Sequence, residues 1–138
     1  MTTASGERAH ASGKISVRRY EPAAYDEPAD GPVLVRIHVE EDFSGDIVGS
    51  GVAEFLQTAR SESVASFVGV ERVTGSVGGR SGSFVFQDQG SLQDGVVSGS
   101  WFVVPGSGTG DLRGLRGEGG FRADLGEGAD ITLDYWFE

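Results

Sequence analysis

"FVVPGSGTGDLRGLRGEG", residues 102–119, is either a glycine-rich loop that cradles a phosphate or the bend of a β-hairpin. The first reading makes the chain a nucleotide enzyme, the second a barrel or sandwich. A phosphate loop of the G-x-x-x-x-G-K-[ST] type sits between a strand and a helix, where backbone amides and a lysine converge on the anion. The only lysine here is Lys14, and the residues after Gly110 are strand-like, with further glycines at 114, 117, 119 and 120. The dinucleotide fingerprint G-x-G-x-x-G fails too. Counted from Gly106 its third glycine falls on Asp111, and counted from Gly108 on Arg113. "PGSGTGD" therefore reads as a hairpin connection.

Outward from that bend the chain alternates. Val33, Val35, Ile37 and Val39 share one face against Leu34, Arg36, His38 and Glu40, the period of a half-buried strand. "KISVRRYEP" (14–22) is a short first strand, and "AAYDEPADGP" a loop on account of Pro28, Gly31 and Pro32. "SGD" (44–46) turns the chain into "IVGSGVAEFLQT", whose β-branched residues and glycines argue against a helix. In "SVASFVGVERVTGSV" (63–77), Phe67, Gly69, Glu71 and Val73 lie on one side. "GGR" then leads to Phe84 and Phe86, and Asp94-Gly95 is a tight hairpin signal before Gly99, Trp101 and Val103. Leu115, Gly117, Gly119 and Phe121 repeat the pattern, as do Ile131, Leu133, Tyr135 and Phe137. No window keeps a helical period. The expected fold is all-β: a single closed, antiparallel, up-and-down barrel of about eight strands, lipocalin-like in logic. Residues 1–13 are expected to be a disordered tail and residues 14–138 the barrel domain.

Composition agrees. The 138 residues suffice for one core. The 23 glycines far exceed average usage of roughly 7%. Only 4 prolines and no triplet period exclude collagen, so the surplus serves turns and the crowded bends of a coiled sheet opposite Phe and Trp. Closure also removes the edges that an open sheet would leave. The absence of cysteine excludes disulfides, thiolate metal sites and cysteine nucleophiles. The first 14 residues carry no apolar core of a signal peptide, and no run approaches the roughly 18 apolar residues of a membrane span. A soluble cytoplasmic protein is expected. A net charge of −10 repels phosphate backbones and anionic membranes, so neither nucleic acid nor membrane is an expected partner of this acidic chain.

The stretches "FVGVERVTGSVGGRSGSFVFQDQGSL", "GVVSGSWFVVPGSGTGDLRGLRGEGGF" and "LDYWFE" together resemble an uncharacterised bacterial family, a domain of unknown function placed with the allene-oxide-cyclase-like β-barrels. The resemblance runs from about Gly13 to the end of the chain. It implies an eight-stranded barrel. It implies no particular reaction, because similar barrels serve as cyclases and as plain binders.

The interior of an eight-stranded barrel is filled by side chains or holds one small ligand, so inward polar residues are the candidates. Glu71 comes first: it shares a face with Phe67 and Val73, and a carboxyl among rings has its pKa raised toward the range useful for acid or base work. The alternative is an ion pair with Arg80 or another arginine that ties strands together. Glu118 lies on the face of Arg116 and Arg122. That face is a solvated charge set or, if it points inward, an Arg116–Glu118 pair able to orient a carbonyl or carboxylate. Tyr135 is a candidate phenol donor within the barrel, or core with its hydroxyl at the rim. Phe67, Phe84, Phe86 and Trp101 are expected to line or fill the interior. His38 and Glu40 supply two metal ligands, fewer than the usual three, and no metal or cofactor is expected. The serines lack a His–Asp partner set, which disfavours a hydrolytic triad.

Three functions fit this reading. One is a cofactor-independent cyclase or isomerase, in which a cavity shapes an apolar substrate and one acid assists. The second is a binder of a small apolar molecule. The third is a packed barrel whose outer face makes homo-oligomer contacts.

Overall fold

Alternation of period two has one consequence in a closed sheet: every second residue enters a common interior. In the computed structural model, which describes residues 7–124 and 127–138, eight strands realise it. They are β1 (Ala9–Asp26), β2 (Val33–Gly45), β3 (Ile47–Ala59), β4 (Val64–Val77), β5 (Arg80–Gln93), β6 (Val96–Val103), β7 (Leu115–Asp124) and β8 (Ala129–Phe137). Each pairs antiparallel with its sequence neighbours, and β1 pairs with β8, so the sheet closes as an up-and-down barrel. Among the described residues, no helix is long and apolar enough to cross a membrane.

The turns follow from local chemistry. Gly78 and Gly79 between β4 and β5, and Asp94 and Gly95 between β5 and β6, all have positive φ. Two successive left-handed residues match the right-handed twist of the flanking strands, which is why Gly-Gly and Asp-Gly sit there.

The first strand is longer than the alternation suggests. It begins at Ala9 and not at Lys14, because Ala9–Ile15 pair with Tyr135–Ala129 and close the ring. Residues 9–13 are therefore barrel wall rather than tail, with Ala11 fully buried; residues 1–6 of the expected tail lie outside the described residues. The strand also continues through Pro22 to Asp26, where a loop was expected, paired only with β2. A proline is tolerated on such a one-sided strand because the missing N–H leaves no ladder partner unsatisfied. A register shift between Val17 and Arg19 reverses the alternation, so Tyr20, Pro22 and Ala24 oppose the inward Val39, Ile37 and Val35.

The two barrel ends differ. One is sealed by residues 104–114, the connection quoted at the outset. β6 is short, and the connection takes over its role along the first half of β5. Val104 N–H donates to Val85 O (2.8 Å), Thr109 N–H to Ser83 O (2.8 Å), and the Ser107 hydroxyl accepts from Val85 N–H (3.0 Å). A single 3-10 turn, Gly110–Leu112, then tucks the fully buried Leu112 under the barrel, beside Ile47, Val77, Phe84 and Leu115. At the opposite end Val35, Phe55, Phe67, Leu92, Val97 and Phe121 are only half-buried on inward positions, forming a mouth.

Candidate functional site

The site is built on the inward phase of β2, β4 and β5. In β2 the apolar series Ile37 and Val39 runs on through Glu41 to Phe43; in β4 Glu71 falls between Gly69 and Val73; in β5 Asp88 follows Phe84 and Phe86. Register then assembles them. Glu41 opposes Gly51 and Glu71 opposes Ala53 across β3, while Glu71 opposes Phe86 and Asp88 opposes Gly69. The three carboxyls sit at mid-barrel, below the mouth and above the sealed core. They are 7%, 1% and 5% exposed for Glu41, Glu71 and Asp88.

Gly51 makes the arrangement possible. A Cβ there would collide with Oε2 of Glu71 and come within 2.9 Å of Phe43 Cε1. The space a side chain would take is used by the carboxyl, which lies within hydrogen-bonding reach of Glu41 once one of the two acids is protonated. Burial is the main cause that pushes the Glu71 carboxyl well above the usual range, with the bond to Glu41 and the charges of Glu41 and Asp88 adding to it. Burial also raises Glu41, opposed by its bond from Glu71. Asp88 is raised to about 7, by burial first and by the Glu41 charge second. Among the described residues, Glu71 Oε2 and Asp88 Oδ1 are the buried side-chain oxygens that no protein donor reaches. None of the 11 lysines and arginines is buried, so no cation of the chain answers these acids.

Rings surround the acids. Trp101 opposes Asp88 across β5 and β6 and stacks on Phe86 at 3.9 Å between centroids, its indole N–H donating to Thr132 O at 3.0 Å. From it a chain of rings leads toward the mouth through Phe121 (5.2 Å), Phe67 (6.2 Å) and Phe55 (5.5 Å). Phe84 meets Phe86 edge-on at 4.9 Å on the other side. The glycines admit these rings: a Cβ at Gly90 would lie 2.6 Å from Phe67 Cζ, and one at Gly99 2.5 Å from Phe121 Cζ. Phe84, Phe86 and Trp101 are buried in the interior, and Phe67 is half-buried nearer the mouth.

Other expected site residues fall elsewhere. Glu118 points outward and bonds Arg8 (3.2 Å), as its alternation with Gly117 and Gly119 requires. Arg116 is likewise on the outer wall, bonded to Glu138 (2.9 Å), so no buried Arg116–Glu118 pair exists. Arg80 is exposed at the start of β5 with its guanidinium 4.1 Å from the Phe137 ring, not beside Glu71. Tyr135 does point inward, but at the sealed end, where its hydroxyl lies over Gly78. Gly78 is seven residues along from Glu71, on the order of 20 Å at a strand's rise. His38 spends both ring nitrogens on the outer wall, on Glu54 and on Glu40 (2.8 Å), and these bonds raise its pKa. Among the described residues, no three His, Cys, Asp or Glu side chains are placed to hold a metal ion.

Concavities also occur on the outer wall. One groove of about 1020 Å³ runs from β2 to β8 between two rows of outward side chains, with Leu56, Val68, Val70 and Phe102 among them. Its floor is the backbone row Phe55, Gly69, Asp88, Trp101 and Gly119.

The comparison with known proteins follows the same barrel. Residues 11–135 match the family described as Protein of unknown function (DUF3224). The chain belongs to this family. A crystal structure of a DUF3224 family protein of unknown function from Shewanella oneidensis MR-1 superposes with a TM-score of 0.79 at 29% identity, covering 95% of this chain and 98% of that one. No curated protein matches. The DUF3224 assignment bears out the resemblance to an uncharacterised family carried by residues 67–92, 95–121 and 133–138, and leaves the chemistry to the barrel's own residues.

Proposed function

We propose that the barrel binds a small, largely apolar molecule in its interior, entering at the mouth and reaching the Glu41–Glu71–Asp88 cluster. One observation carries this reading: two acid oxygens are buried with no donor and no cation to meet them. An unmet buried oxygen costs about 1–3 kcal/mol, and an apolar side chain at either position would remove that cost. Such a local conflict with folding is characteristic of a position kept for binding or chemistry. The half-buried Phe55, Phe67 and Phe121 at the mouth are the groups that must swing aside for entry.

The same cluster suits a cofactor-independent isomerisation or cyclisation. A carboxyl pair that shares one proton holds an acid and a base within one hydrogen bond, so Glu71 gives a proton to one substrate atom while Glu41 takes one from another, with no net oxidation. Soaking crystals with small ketones and aromatic alcohols tests the binding. Density among Glu71, Asp88 and Trp101 is expected; an interior that excludes every probe, with Trp101 emission unchanged on titration, overturns it.

A second reading concerns the outer wall. Val52, Leu56, Val68, Val70 and Phe102 are exposed apolar residues on β3, β4 and β6, with Gln87 and Gln89 of β5 between them, and exposed apolar surface with polar groups interspersed suits a protein contact. On this reading the barrel self-associates through β3–β6. Sedimentation of the wild type and of Val68→Ser/Phe102→Ser tests it: a monomer at high concentration, unchanged by the substitutions, removes it.

A further inference from the structure

We infer that the interior ligand carries a protonated amine on an apolar body, its ammonium seated between Glu71 and Asp88 and its body lying against Trp101 and the mouth phenylalanines. This rests on the interior being a binding site and names the class of molecule it takes.

The argument is one of missing donors. Glu71 Oε2 and Asp88 Oδ1 are buried acceptors without partners, in residues 1% and 5% exposed. The chain offers nothing to fill them, since every lysine and all but one arginine are exposed and Arg116 bonds Glu138. The donors must come from the ligand. A carboxylate or phosphate is repelled by three acids. A hydroxyl has a single O–H, enough for one of the two oxygens. A primary or secondary ammonium has at least two N–H donors and the opposite charge, so each bond it makes is charge-assisted. A divalent metal needs convergent ligands, and the three carboxyls do not form such a group. The ring wall suits a cation as well: Trp101 stacks on Phe86 beside Asp88, and an ammonium near such a face is held by the ring quadrupole.

Proton traffic follows from the same geometry. The titratable groups that face the site are Glu41 from β2, Glu71 from β4 and Asp88 from β5; Tyr20 of β1, paired with Val39, is exposed. β3, β6, β7 and the inner part of β8 present Gly51, Ala53, Trp101, Gly119 and Leu133. An arriving ammonium favours carboxylates, so binding below about pH 7 releases protons from the cluster.

The test uses three probes with one shared body, 2-phenylethylamine, 2-phenylethanol and 3-phenylpropanoate, titrated calorimetrically at pH 6.5 in two buffers of different ionisation enthalpy. The amine is expected to bind at least about tenfold tighter than the alcohol, the carboxylate not at all. The amine should release protons and shift the Trp101 indole resonance. Glu71→Gln and Asp88→Asn should each erase most of the amine's advantage over the alcohol. Alcohol binding as tight as amine binding, or amine binding without proton release or without a Trp101 shift, overturns the inference and leaves interior binding standing. Failure of all three probes overturns both. If either variant does not fold, the wild-type proton release and Trp101 shift still decide.

Discussion

Glu41 and Glu71 meet over Gly51, two strands apart, because the intervening strand offers no side chain at that point. Both are buried, and burial raises both. Asp88 adds a third acid with no donor for one of its oxygens. A barrel of this size could fill the same volume with Val or Leu, so the cluster is a liability to stability that varies with pH in a calculable direction.

Asp88 sets the clearest expectation. Its carboxyl is raised from 3.8 to about 7 in the fold, so the native state holds a proton that the unfolded chain releases between those values. Stability is therefore highest below pH 4, falls as pH rises toward 7, and levels off above it. The loss over that window is about 4 kcal/mol for this group. Asp88→Asn should flatten the decline and stabilise the protein at pH 8 with little effect at pH 4. Urea unfolding at a series of pH values measures it, and equal slopes for variant and wild type would refute it.

Replacing the donorless acid of the pair should have a related signature. In Glu71→Gln the amide donates to Glu41 permanently, where Glu71 does so only while protonated. A bond to an ionised group contributes roughly 1.5–3 kcal/mol. The variant should thus unfold at higher denaturant than wild type at pH 8, and the gap should close near pH 4.5. A variant destabilised equally at both pH values would show that shape, not charge, governs position 71.

Gly69 tests how tightly the rings fill the interior. A Cβ there would run into Phe55 Cδ1 and the carbonyl oxygen of Glu54. The backbone contact cannot be relieved by a rotamer change, so Gly69→Ala should cost about 1–3 kcal/mol, read as a lower denaturation midpoint with an unchanged slope. Wild-type stability would mean that the wall is looser than these contacts require.

The fold was readable in the sequence because each strand keeps its phase: Val35 to Phe43, Phe67 to Val73, Phe84 to Asp88 and Ile131 to Phe137 all alternate without interruption. Glu71 was visible for the same reason. Glu41 and Asp88 obey the same phase as Val39 and Phe86 and were equally available, yet single acids within an apolar series read as surface unless the series is counted through them. Register and depth are not written locally. Tyr135 has the right phase and the wrong end of the barrel, and Glu118 has the outward phase. The reversal after Val17 that pairs Tyr20 with Val39 comes from a bulge with no signal in "SVRRY".

Leu112 returns to the glycine-rich stretch itself. The connection gives this residue no strand partner, yet it is fully buried against the sealed core. The turn that places it is held by Thr109, whose hydroxyl accepts from Ser83 N–H at 3.0 Å and whose N–H donates to Ser83 O. Leu112→Ala removes the plug and leaves a void that the β5 hydrogen bonds prevent from collapsing, a loss of about 2–5 kcal/mol. Thr109→Val removes two bonds of the hydroxyl, one from Ser83 N–H and one with Ser83 Oγ, and should cost about 1–3 kcal/mol. Because the two residues act through the same turn, the double variant should lose less than the sum of the single losses. Strict additivity in a double-mutant cycle would mean that Leu112 is held by its own packing, and that the hydroxyl contacts along β5 do not position it.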